Sequence, residues 1–259
     1  MAQVEIVAVG RELVTGVVAD TNSAWLAAQL TALGATVSRI VVVDDDPAAI
    51  AREIRAAHGL VITTGGLGPT LDDRTLAGIA AARRRRLVEH PAAIAFVERR
   101  YGELAAAGLV ADGALTPPRR KMARVPEGAE MIDNPVGTAP GVFVDGVVAL
   151  PGVPEEMRAV FAAALPRIRA CLGPETYVAE REMQSGSGDE SVLAAALERV
   201  TEEFLGVHLK SFATTFAPDC DLRIRITARA ADREAAEALV GRAAARLEAE
   251  LARVRSGQG

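Results

Sequence analysis

Leu60-Val61-Ile62-Thr63-Thr64-Gly65-Gly66-Leu67-Gly68-Pro69-Thr70-Leu71-Asp72-Asp73 decides how this chain is read. An apolar run of three with two threonines is the length of a buried strand. Three glycines within four residues then allow a tight turn and a close approach of backbone to a ligand. A helix follows, from about Asp72 to Ala82. Two similar runs precede it. Val4–Val9 ends at Gly10, and Val37–Val43 ends at Asp44-Asp45-Asp46-Pro47. Between the first pair, Trp25, Leu26, Leu30 and Leu33 recur at helical spacing and Gly34 supplies a stop. Asp46-Pro47 opens another helix, with Pro at a tolerated first-turn position. The β-α-β-α-β-loop-α order predicts a parallel sheet covered by helices on both faces.

Further along, 91–113 reads as helix and 115–141 as loop, because Pro117, Pro118, Pro126, Pro135 and Pro140 interrupt it. Asp145-Gly146 between Val142–Val144 and Val147–Leu150 predicts a hairpin. Pro151-Gly152-Val153-Pro154 leads into a helix to about Ala170. Cys171–Pro174 reads as a boundary between a domain over 1–170 and a small α+β domain over 175–255. The smaller one reads as strand 176–183, helix 189–204, strands 208–216 and 221–229, and helix 232–252, with a frayed tail at 256–259.

Composition narrows the function. The chain has 259 residues, half of them apolar, and a net charge of −5, so a core is affordable in area and a general nucleic-acid-binding polycation is disfavoured. The small domain shows no basic face with interleaved aromatics, which argues against RNA binding there. Cys171 and Cys220 cannot make a disulfide framework, and His58, His90 and His208 form no zinc pattern. A signal sequence and a membrane span are not recognisable, which predicts a cytoplasmic protein with no membrane partner.

Ligands of open parallel sheets bind beyond the carboxyl ends of the strands. Four segments fall there: Gly10-Arg11-Glu12-Leu13, Asp20-Thr21-Asn22-Ser23, Thr63–Thr75 and Pro151–Pro154. Free amides at the helix start after Gly65, Gly66 and Gly68 suit a phosphate. Asp72 and Asp73 either cap that helix or hold Mg2+ against a pyrophosphate, since a hard cation prefers oxygen ligands. Asp20 reads as a helix cap. Asn134 and Thr138 belong either to a turn or to a surface that bonds a base or pterin ring. Arg119, Arg120, Lys121 and Arg124, in a Pro-flanked loop, either meet an anionic ligand or are simply a solvated surface.

Taken in order, these segments resemble a known family. They are Gly10-Arg11-Glu12-Leu13, Asp20-Thr21-Asn22-Ser23, the glycine loop through Asp73, Lys121–Ala129, Asn134–Gly141 and Pro151–Pro154. The family is the molybdopterin-binding (MoaB/Mog-like) domain, in the form found at the N-terminus of CinA, the competence/damage-inducible protein A. The resemblance covers about residues 3–170. More weakly, 175–252, with Gly186-x-Gly188-x-Glu190-Ser191, is similar to the CinA middle domain.

The resemblance implies a three-layer α/β/α fold, a nucleotide or pterin ligand carrying a pyrophosphate, a divalent cation such as Mg2+, and a homodimer. It implies metal-dependent hydrolysis of an ADP-ribose- or FAD-like pyrophosphate. The alternatives are a non-catalytic binding module and a molybdopterin adenylyltransferase. Asp72, Asp73 and Glu12 become expected metal residues, with Asp72, Asp73 and Lys121 catalytic. Gly65, Gly66, Gly68, Thr70, Arg11, Asn22, Asn134, Thr138 and Gly152 become expected ligand contacts. The family pattern has Asp where this chain has Arg11, which removes an acid from the site or supplies a phosphate grip. The deamidase domain that full CinA proteins carry is not among these matches, and its activity is not transferred.

Overall fold

The computed structural model describes residues 3–174, 176–187, 189–212 and 221–255. The chain divides at Gly173/Pro174 into two compact units. In the first, the elements run β1 (Gln3–Val9), α1 (Arg11–Val14), α2 (Thr21–Ala32), β2 (Thr36–Val43), α3 (Pro47–Ala56), β3 (Leu60–Thr64) and α4 (Thr75–Arg83). They continue as β4 (Leu87–Glu89), α5 (Pro91–Ala106), α6 (Pro117–Lys121), β5 (Arg124–Pro126), β6 (Glu130–Ile132), β7 (Gly141–Val144), β8 (Val147–Leu150) and α7 (Pro154–Leu172).

The main sheet has the order β2-β1-β3-β8-β7-β6. The pairs β1–β2, β1–β3 and β3–β8 are parallel, while β6–β7 and β7–β8 are antiparallel. Alternation along the strands sends side chains to two cores. Val7, Val9, Val61, Val142, Val144, Val147 and Ala149 meet Ile50, Ile54, Ile79 and Phe96 from α3, α4 and α5. On the other side Ile6, Ile62 and Leu150 are sealed, and α7 packs on β3 and β8 with Met157, Val160, Ala164 and Ile168 buried. Trp25 of α2 meets Phe161 of α7 edge to face, with ring centroids 5.3 Å apart. The unit is a three-layer α/β/α domain with a mostly parallel sheet.

Local signals explain several element ends. Asp46 accepts from the N–H groups of Ala48 and Ala49 at 3.2 Å and caps α3. Asp145 and Gly146 both have positive φ, 43° and 75°, which turns β7 into β8.

Three expectations need correction. The segment 115–141 is not all loop, since it forms α6, β5 and β6. Pro117 and Pro118 occupy the first turn of α6, where a missing N–H costs nothing, and Pro126 ends the two-stranded ribbon of β4 and β5. The helix expected over 91–113 stops at Ala106. The helix expected from Asp72 begins at Thr75, because the Thr70–Asp73 turn is held by its own side chains.

The second unit contains β9 (Tyr177–Gln184), α8 (Glu190–Glu203), β10 (Val207–Phe212), β11 (Arg223–Ala230) and α9 (Arg233–Arg255). Its antiparallel sheet has the order β10-β11-β9, and Ile224 and Ile226 meet Leu193, Val200, Leu247 and Leu251 in its core. Residues 213–216 of the strand expected over 208–216, Gly188, Cys220 and the 256–259 tail lie outside the described residues.

Candidate functional site

The carboxyl ends of β1, β2, β3 and β8 are tied together by short polar bonds. Gly10 donates to Val43 at 3.0 Å, and Gly65 donates to Leu150 at 3.1 Å. The Thr64 hydroxyl donates to the Pro151 carbonyl at 2.9 Å. Asn22, at the start of α2, uses Nδ2 to bond the Thr64 hydroxyl at 3.1 Å and the Gly152 carbonyl at 2.8 Å. Asp20 accepts from the Ser23 N–H at 2.9 Å and caps the same helix.

Gly65 has φ 99°, and a Cβ there would lie 2.2 Å from the Val9 carbonyl oxygen, so only glycine fits. A Cβ on Gly152 would stand 3.3 Å from the Gly65 Cα, so the two loops touch through backbone. The Thr75 hydroxyl donates to the Gly65 carbonyl at 2.7 Å and its N–H to the Gly66 carbonyl at 3.1 Å. These bonds set the glycine turn before α4 begins.

Over these ends lies a cleft of about 460 Å3. Of the residues expected at the site, the structure brings Glu12, Asn22, Gly65, Gly66, Gly68, Asp72, Asp73, Thr138 and Gly152 to its wall. Its ionisable lining is one-sided: Glu12, Asp20, Asp45, Asp72, Asp73 and Glu156 face it, and among the described residues no Lys, Arg, His or aromatic side chain does.

Four expected residues are employed elsewhere. Arg11 does not grip the cleft; its guanidinium pairs with Asp44 at 3.0 Å, at the end of β2. Lys121 donates through Nζ to the Thr70 carbonyl and, at 2.6 Å, to the Asp73 carbonyl, so it braces the loop from behind. Thr70 offers no hydroxyl to a ligand, because its N–H and Oγ1 both donate to Asp73 Oδ2, at 2.8 and 2.6 Å.

Asn134 is fully buried and bonded on both ends. Its Nδ2 donates to the Ala139 carbonyl and to Glu156 Oε2, both at 2.8 Å. Its Oδ1 accepts from Val136 N–H at 3.1 Å and Gly137 N–H at 2.8 Å. An amide side chain with both ends engaged shapes the 134–139 loop and has no remaining face for a pterin or base.

Asp45 was missed by sequence reading. It follows β2, at the carboxyl end of a parallel strand, and that position was the available signal. Burial first, then the neighbouring charges of Glu12, Asp44 and Asp72, push its carboxyl above the usual carboxylate range, against the pull of the Arg11 N–H. Asp72 is held below its usual range, by the adjacent Thr70 hydroxyl first, then by its own N–H and the Lys121 charge. Asp73 is turned back into the loop by Thr70.

Among the described residues no three His, Cys, Asp or Glu side chains are gathered closely enough to hold a metal by themselves. Asp72, Asp73 and Glu12 therefore do not form one coordination sphere. The donor chemistry fits a hydrated ion instead: Mg2+ ordinarily keeps several waters and takes one or two carboxylates plus ligand phosphates. Asp72 and Glu12, one or both, are the carboxylates that would be available to it, since Asp45 already accepts from the Arg11 N–H at 2.9 Å.

An acidic cleft across the strand ends of an open sheet, floored by a glycine turn, defines an α/β domain that takes a small polar ligand. Comparison with known proteins gives the family. The model for a probable molybdopterin binding domain matches residues 5–170. The chain belongs to that family, and it is CinA-like.

A protein of Aeropyrum pernix is 42% identical over 241 residues, covering 90% of this chain and 87% of that one. A CinA-like protein of Gloeobacter violaceus is 37% identical over 245 residues, covering 91% of this chain but 55% of its own length. The crystal structure of the protein CinA, of unknown function, from Thermoplasma acidophilum is 39% identical with a TM-score of 0.58. It covers 64% of this chain and 98% of that one. Among the described residues no helix is long and apolar enough to cross a membrane.

Proposed function

We propose that the cleft binds a nucleotide or pterin through its pyrophosphate, together with a divalent cation, and hydrolyses the bridge. ADP-ribose and FAD are the model substrates. The observation that carries this reading is the charge of the lining: among the described residues, six carboxylates and no cation. A diphosphate cannot settle there unaccompanied, because like charges at close range repel strongly in a partly desolvated cleft. A bound divalent ion supplies charge neutralisation and Lewis acidity.

In the reaction, water adds to one phosphorus, the bond to the bridging oxygen breaks, and two monophosphates leave. The glycine turn at Gly65–Gly68 gives the phosphates a backbone surface without Cβ atoms. One or two carboxylates drawn from Asp72 and Glu12 would hold the ion, its remaining ligands being water and phosphate oxygens. Asp45, kept off the ion and lining the same cleft, is the carboxylate we assign to take the proton from water. Lys121 keeps Asp72 in place through the Thr70 and Asp73 carbonyls.

A second reading, binding without turnover, draws support from Arg11 and Lys121. Neither reaches the cleft, so among the described residues no cation stands ready for charge developing on the phosphate.

The test incubates the protein with ADP-ribose and with FAD, each with Mg2+, Mn2+ or EDTA, and reads products by chromatography. Turnover with the cations and none with EDTA is expected. Asp72→Asn should lower kcat by about 100-fold, the usual cost of one electrostatic stabiliser, while Tm barely moves because Asp72 is exposed. Turnover in EDTA would refute the reading. Calorimetric binding with no monophosphate formed would select the second one.

A further inference from the structure

The basic segment 119–124 is not absorbed by the cleft. Arg119 is committed to structure: its guanidinium lies over the Tyr101 ring at 4.0 Å and donates to the Ala114 carbonyl at 2.7 Å. The next three basic side chains are arranged differently. Arg120, Lys121 and Arg124, with Leu87, Glu89 and Pro117, line a second pocket of about 450 Å3 between α6 and the β4–β5 ribbon.

Glu89 and Arg124 are cross-strand partners, so their side chains share a face. Glu89 is already answered by Arg120 at 3.0 Å. Arg124 has no ion pair or side-chain hydrogen bond among the described residues. Lys121 spends two of its three N–H donors on the Thr70 and Asp73 carbonyls, which leaves one. Positive charge thus exceeds negative in this pocket, on a chain whose net charge is −5.

We propose that this pocket is a second anion site, taking a phosphate group, and that Lys121 couples its occupancy to the Thr70–Asp73 loop of the cleft. Two guanidinium groups and an ammonium match phosphate in charge and in donor geometry. Leu87 and Pro117 add an apolar wall suited to the organic part of a phosphate monoester. Lys121 is the physical link. An anion drawing its ammonium toward the pocket pulls on both carbonyls and so shifts the turn that carries Asp72. This site stands whether or not the cleft hydrolyses anything.

The test titrates the 15N-labelled full chain without divalent cation, ionic strength held constant with chloride. One arm uses inorganic phosphate and the other glycerol phosphate. Saturable shifts are expected at Leu87, Glu89, Arg120 and Arg124, with smaller ones at Asp72 and Asp73. Arg124→Gln should raise Kd by about tenfold, the loss of one charge-assisted pair. That variant keeps the fold, because the Arg124 side chain is exposed and holds nothing in place.

In Lys121→Met, the shifts at Leu87 and Arg124 should persist while those at Asp72 and Asp73 vanish. Tighter binding of the ester supports the site with an organic phosphate as occupant, and tighter binding of free phosphate supports it with the simple ion. Shifts confined to Gly65–Gly68, an unchanged Kd in Arg124→Gln, or no saturation would overturn the proposal. Each readout is binding alone, so its failure is distinct from a failure of hydrolysis.

Discussion

Replacing Asn134 with alanine removes four hydrogen bonds at once and leaves the 134–139 loop without its tie to α7. Three of these are neutral, worth about 1 kcal/mol each, and the one to Glu156 is charge-assisted, worth about 1.5–3 kcal/mol. The sum overstates the effect. Val136 is half exposed, and Glu156 is only partly covered. The Gly137 N–H and Ala139 carbonyl are in buried residues and lose their partner, at about 1–3 kcal/mol apiece. We expect a loss of about 3 kcal/mol.

For a unit of this size that lowers Tm by roughly 6–12 °C. The readout is urea or thermal unfolding followed by Trp25 fluorescence, because Trp25 is the sole tryptophan and reports the first unit. Thr138 and Ala139 line the cleft, so ligand affinity should fall in parallel. A stability loss under about 1 kcal/mol, the worth of a single bond, with ligand binding abolished, would refute the reasoning, since it would make Asn134 a ligand contact instead of a loop staple.

Two further predictions concern charge. Because the folded-state pKa of Asp45 is raised, its stabilising contribution is complete below the usual carboxylate range and is lost as pH rises through the raised value. Asp45→Asn should therefore unfold later than the native chain at neutral pH and together with it in acid, as read by melting curves across pH; earlier unfolding at neutral pH would contradict this. In the second unit, Glu250 is enclosed by Arg199 at 2.8 Å, Arg253 at 3.1 Å and Arg246; Arg246 foremost and then Arg199 hold its carboxyl below the usual range. Glu250→Gln should speed hydrogen exchange around Leu247 and Leu251 at neutral pH. The difference should fade as pH falls through the lowered pKa, since the ion cluster contributes only above it.

Much of the first unit is written in local signals. The cap and proline at Asp46-Pro47, the Asp145-Gly146 turn and the apolar runs of β1 and β3 act over a few residues, and the folded chain keeps them. The carboxyl-end rule for parallel strands likewise drew Glu12, Asn22, Gly65 and Gly152 toward one place before any coordinates. It would have flagged Asp45 too, had the end of β2 been treated as the other ends were.

What sequence could not decide is where each polar side chain spends its bonds. Arg11 and Lys121 are cations within reach of a phosphate loop by chain position. Only the packed sheet shows that Asp44 claims the first and that two carbonyls claim the second. Asp73 and Thr70 satisfy each other, and Asn134 is closed on both sides, because buried polar groups must be paired and their partners come from 22 residues away or more as readily as from the next turn. Composition and periodicity determined the layers and the location of the cleft. Tertiary structure alone decided its sign of charge, since that depends on which residues turn inward once long-range hydrogen bonds have been assigned.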